Sequence, residues 1–166
     1  MNRLFAFFSL LAAVLAATSC IANMDPFEGG DGVRANINGQ KCVMSGTPGK
    51  VYATCSFESG ANSFGTHVEM MHLLDKTIFG LEFSFSDTTP FVTGKQYSIG
   101  SGTYKATLTT VSGEDVPLTG WVTFLKIGVE SKTVEAQFEL DGQDAKGDKY
   151  AVRHGFMRLY RIKEGE

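Results

Sequence analysis

From Val33 onwards the chain repeats with a period of two. Val33, Ala35 and Ile37 alternate with Arg34 and Asn36. Phe79, Leu81, Phe83 and Phe85 alternate with Gly80, Glu82 and Ser84, and Val134, Ala136, Phe138 and Leu140 with Glu135, Gln137 and Glu139. Successive side chains of a strand point to opposite faces, so each run reads as a strand with one dry and one wet face. No later segment carries a helical stripe, which predicts an all-β domain over residues 33–166.

Turn chemistry cuts this pattern into about nine or ten strands. Asn38-Gly39 is a hairpin signal, and Thr47-Pro48-Gly49-Lys50 separates the runs 40–45 and 51–57. Further strands are expected at 66–74, 78–86, 96–99, 104–111, 121–127, 133–140 and 149–162. In the last of these, Tyr150 and Val152 have one parity and Met157 and Leu159 the other, which predicts a bulge near His154-Gly155. Such spacings suit an antiparallel β-sandwich, with a lipocalin-like closed barrel as the alternative, because period-two patterning is common to both.

The N-terminus has a different character. One charge at Arg3 precedes an uncharged run from Leu4 to Ala17, too short to span a bilayer comfortably and followed by small residues, as in a signal peptide over 1–19. Ala17 and Ser19 satisfy the small-x-small rule of ordinary signal peptidase. Ala17-Thr18-Ser19-Cys20 also resembles a bacterial lipobox, with Ala in place of the preferred Leu at −3, and its relaxed form is similar to that of Bacteroidetes. Cysteine arithmetic favours acylation: Cys20, Cys42 and Cys55 are an odd set for an exported chain, and giving Cys20 to a lipid leaves a pair. Residues 20–32 then form the anchor and a Gly- and Asp-containing tether.

With Pro48-Gly49 as a two-residue loop, Cys42 and Cys55 face each other across a hairpin, within disulfide reach. Beyond that pair, chemical motifs are sparse. His67 and His72 lie five apart and so fall on opposite faces of a strand, which leaves them no shared metal. Asp141, Asp144 and Asp148 form a calcium candidate, but the spacing is not that of an EF-hand and Lys146 intrudes. Residues 60–65 do not form a nucleophile elbow and residues 46–50 do not form a P-loop. Trp121, Tyr97, Tyr104, Tyr150 and Tyr160 are candidates to stack on a glycan or line a cavity. No catalytic residue, metal or cofactor is expected. A net charge of −3, or −4 once Arg3 departs, gives no footprint for nucleic acid.

Ala35-Asn36-Ile37-Asn38-Gly39, Gly120-Trp121-Val122-Thr123-Phe124, the run from Thr133 to Leu140 and Gly155-Phe156 form a spaced pattern. It resembles small exported lipoproteins of Bacteroidetes that carry a β-rich domain of unknown function. The resemblance implies a β-rich exported domain on the cell envelope and supplies no site residues; with Cys20 acylated, the expected location is the outer membrane, on its periplasmic or surface face. The expected function is a non-enzymatic envelope lipoprotein that binds a protein or glycan partner or serves structurally. The alternative is a carrier of small hydrophobic ligands, with a cavity lined by Phe79, Phe83, Phe85 and Trp121.

Overall fold

The computed structural model describes residues 32–44, 53–54, 62–128 and 133–162. The expected signal peptide, Cys20, most of the tether and Cys55 lie outside the described residues. The described chain forms ten strands: β1 (Gly32–Ile37), β2 (Gln40–Met44), β3 (Ala53–Thr54), β4 (Ser63–His72), β5 (Ile78–Ser86), β6 (Gln96–Ile99), β7 (Tyr104–Thr109), β8 (Asp115–Ile127), β9 (Thr133–Gln143) and β10 (Lys149–Ile162). No helix is present among the described residues.

The strands close into an eight-stranded antiparallel barrel. Its ring runs β1, β2, β4, β5, β7, β8, β9, β10 and back to β1. This corrects the sandwich expectation in favour of the barrel. The alternation of wet and dry side chains is the same in both folds; pairing of the first strand with the last, Val33 opposite Met157 and Ile37 opposite Val152, decides between them. That pairing gives β1 a second neighbour where a sandwich would leave an open edge.

Two short strands supplement the ring. β1 starts opposite Arg158 and β2 ends opposite Met70, while β10 and β4 run on; β3 fills that gap, with Ala53 beside Arg161 and Thr66. β6 and β7 both lie along β8 as one interrupted strand. From Ile99 to Ala106 there are seven steps, against two on β8 from Gly120 to Leu118, so five extra residues loop out between them.

β8 begins at Asp115, ahead of the expected start at Trp121, because Pro117 and Gly120 look like breakers. Gly120 instead permits a bend. Its φ is +145°, and a Cβ there would lie 2.2 Å from the Glu139 carbonyl oxygen. β4 likewise begins at Ser63, inside the loop expected at 60–65. The bulge in β10 lies where the parity change puts it: the register with β9 slips between Val152 and Gly155, and both Val152 and Met157 face inward.

Inward side chains meet across the bore. Phe83 of β5 meets Phe138 of β9 with ring centroids 5.0 Å apart, and Phe64 of β4 meets Phe124 of β8 at 5.6 Å. Each pair joins strands three places apart in a ring of eight, so these rings meet across the barrel. Burying each stabilises the fold by about 1.5–3 kcal/mol. One end of the barrel carries the short turns at Asn38-Gly39, 73–77, 110–114 and 144–148. The other receives the chain at Gly32 and carries the connection 87–95, the end of β8 at Ile127 and the start of β9 at Thr133.

Candidate functional site

Outward residues of β8, β9, β10 and β1 form a groove of about 220 Å³, lined by Arg34, Trp121, Gln137, Phe138, Glu139, His154, Gly155 and Phe156. Register explains their meeting. Trp121 stands opposite Glu139, Gln137 opposite Phe156, and Phe156 opposite Arg34. Trp121 and Phe156 are thus two strands apart and two positions along, a backbone separation of about 12 Å. Both are half-buried, as side chains on a wet barrel wall, while the ring of Phe138 is directed into the core.

The bulge shapes the middle of this groove. His154 takes a left-handed backbone conformation, φ +53°, and its exposed imidazole sits on the extra residue of β10. Gly155, next along, packs under Phe138: a Cβ would lie 2.3 Å from that ring. The Arg34 and Arg158 guanidinium carbons lie 5.7 Å and 5.9 Å from the centre of the Phe156 ring, and Arg158 also pairs with Glu135 at 3.2 Å. Gln137, Glu139 and His154 make no side-chain hydrogen bond among the described residues. The groove therefore combines the Trp121 ring, a Phe156 ring flanked by two guanidinium groups, and the donors and acceptors of Gln137, Glu139 and His154.

A second cavity, of about 170 Å³, lies at the short-turn end and is lined by Ile37, Asn38, Gln40, His72, Asp75, Thr77 and Phe79. His72 is buried, and its Nδ1 lies 2.5 Å from Asp75 Oδ1, which also accepts the Thr77 N–H at 2.9 Å. The Thr77 and His72 hydrogen bonds hold the Asp75 carboxyl at about 2, below the usual carboxylate range. These contacts fasten the β4–β5 turn. Cys42 is buried, flanked across the strands by Ala35 and His72 and without a disulfide partner among the described residues, and burial pushes its thiol pKa up. Its expected partner, Cys55, lies outside the described residues.

Other candidates are dispersed. His67 faces outward 3.9 Å from Glu82, on the wall opposite to the inward His72. Asp141 pairs with Arg153 at 2.5 Å. Asp144 accepts the Lys146 and Asp148 N–H groups at 3.0 Å and 2.8 Å, closing the β9–β10 turn. The calcium candidate thus resolves into an ion pair and a turn cap, and no cluster of three His, Cys, Asp or Glu able to hold a metal occurs among the described residues. Tyr97 and Tyr104 pack in an aromatic cluster with Phe91 and Phe124, and Tyr104 donates to Asp87. The side chain of Tyr160 is outside the described set. Of the residues proposed to line a carrier cavity, Phe83 and Phe85 face the core, Phe79 is half-buried at the short-turn end, and Trp121 is on the outer wall.

Phe156, Gln137 and Glu139 were not singled out from the sequence. A signal was present: beyond the bulge, Phe156 has the parity opposite to Met157 and Leu159, an aromatic on the wet face. No family model, curated protein or solved structure matches this chain.

Proposed function

We propose that the domain is a non-catalytic binding module, held at the cell envelope by acylated Cys20, that takes a glycan in the Trp121–Phe156 groove. The carrying observation is the placement of uncommitted Gln137, Glu139 and His154 between two half-buried aromatic rings. Sugars present apolar C–H faces and a rim of hydroxyls, and this wall offers a surface for each. The separation of Trp121 and Phe156 suits an oligosaccharide of several rings better than a monosaccharide.

Trp121 is the single tryptophan of the chain, so its fluorescence reports on the groove alone. Titration with neutral and acidic oligosaccharides should give a saturable change. Phe156→Ala should weaken binding at least about tenfold, the loss expected for one aromatic anchor. A panel that leaves the fluorescence unchanged, or binding that Phe156→Ala does not weaken, overturns this reading.

A further inference from the structure

Exposed apolar side chains stand at both ends of the barrel: Leu73, Leu74, Ile78 and Val111 at the short-turn end, Val92 and Leu125 at the end that receives the N-terminal chain. Val92 is 56% exposed in the β5–β6 connection and Leu125 is 38% exposed in β8. A bulge and a turn place them at the same end of the barrel. The β8–β9 register slips between Phe124 and Lys126, which leaves both Leu125 and Lys126 exposed on the wall. The Gly94 N–H donates to the Phe124 carbonyl at 2.8 Å and the Lys95 N–H to Val92 at 3.2 Å, setting the 92–95 turn beside Leu125. Lys95 and Lys126 are exposed, with the Lys95 ammonium 5.0 Å from the Tyr97 ring centre. The described acidic groups nearby are engaged: Asp87 by Tyr104 and its own turn, Glu135 by Arg158.

We infer that Val92, Leu125, Lys95 and Lys126 form a contact face for an anionic lipid surface. The inference rests on the reading of Cys20 as the anchor. Eleven residues separate Cys20 from Gly32, and a flexible chain of eleven residues has a root-mean-square span of about 18 Å. The tether thus holds this end, and not the short-turn end, against the bilayer. Apolar side chains entering the headgroup layer with lysines beside them are the usual composition of such a contact. The Trp121–Phe156 groove lies on the side wall and stays open when this end faces the lipid.

The test uses the mature chain carrying Cys20→Ser and an N-terminal histidine tag, bound to nickel-chelating vesicles that contain phosphatidylglycerol and brominated lipid. Tethering is then independent of acylation. In a Trp121→Phe background, a tryptophan is introduced by Val92→Trp or, at the opposite end, by Leu74→Trp. Bromine quenching at position 92 should exceed that at 74 by at least about threefold, and Lys95→Glu with Lys126→Glu should bring it down toward the level at 74. Equal quenching at both ends, stronger quenching at 74, or quenching indifferent to the two charge reversals overturns the inference. Intact mass of the native membrane-fraction protein separately tests the anchor: absence of acyl mass on residues 20–166 refutes the anchor reading and leaves the quenching result to stand or fall by itself.

Discussion

Gly155 and Phe138 show how one missing side chain can support a large one. The two residues are register partners on β10 and β9, and the Phe138 ring occupies the space where a Cβ at 155 would sit, 2.3 Å from its nearest carbon. Gly155→Ala should therefore destabilise the domain by about 1–3 kcal/mol, the cost of overpacking. Combining it with Phe138→Leu should cost less than the sum of the two single changes, because the smaller side chain vacates the contested space. Chemical denaturation of the four proteins checks this. Asp75 allows a pH test at the same scale. Its folded pKa, about 2, lies below the ordinary value near 3.8, so its contribution is complete above pH 4 and is lost as the pH falls toward 2. The stability difference between the parent and Asp75→Ala should accordingly be constant from neutral pH to about 5 and shrink below 4. At this scale the sequence was informative about type more than place. The argument that makes Trp121 a stacking residue applies equally to four tyrosines. Tyr97 and Tyr104 went to an aromatic cluster, since parity says which face a residue takes and not what stands on the next strand.

Among the elements, β10 was the most legible. Its change of parity is a local property, written in Val152 and Met157, and the bulge follows from it without knowledge of any partner strand. The extra residue is His154 at φ +53°, a conformation that costs a non-glycine residue about 1–2 kcal/mol. His154→Gly should thus be neutral or stabilise by up to about 1 kcal/mol, and His154→Val should destabilise by more than 1 kcal/mol, measured by urea denaturation. Deleting His154 should be far worse. It removes the slip in register with both β1 and β9, so Met157 and Leu159 would turn from the core to the wall, and the cooperative melt of the parent should be lost. β8 is less legible, for an equally physical reason. Gly120 and Pro117 break a strand in isolation, but here Gly120 accommodates the Glu139 carbonyl in a bend and Pro117 faces outward opposite Thr107. Both features depend on the neighbouring strand and leave no trace in the local pattern.

For the molecule as a whole, whether ten strands split into two sheets or close into a barrel depends on β1 meeting β10, residues more than a hundred apart in the chain. No local signal encodes that pairing. Closure in turn bears on the carrier alternative, because a barrel can enclose a ligand only where its bore is not occupied by its own side chains. At the level of Phe83, Phe138, Phe64 and Phe124 the rings meet across the axis, and Phe83 and Phe138 are both almost completely buried. Phe83→Ala removes one side of such a contact and should cost about 3–5 kcal/mol, the range for a large aromatic truncated in a packed core. A void of that kind is apolar and able to take up a small hydrophobe. Xenon or a benzene-sized ligand should therefore bind Phe83→Ala, detected by chemical-shift changes at methyls such as Leu81 and Leu108, and leave the same signals of the parent unmoved. If the parent binds the ligand with comparable affinity at those methyls, its bore is open and the carrier function takes precedence over the outer groove. If only the variant binds it, the parent's bore is closed at this level by its own aromatic rings, and the carrier alternative fails there.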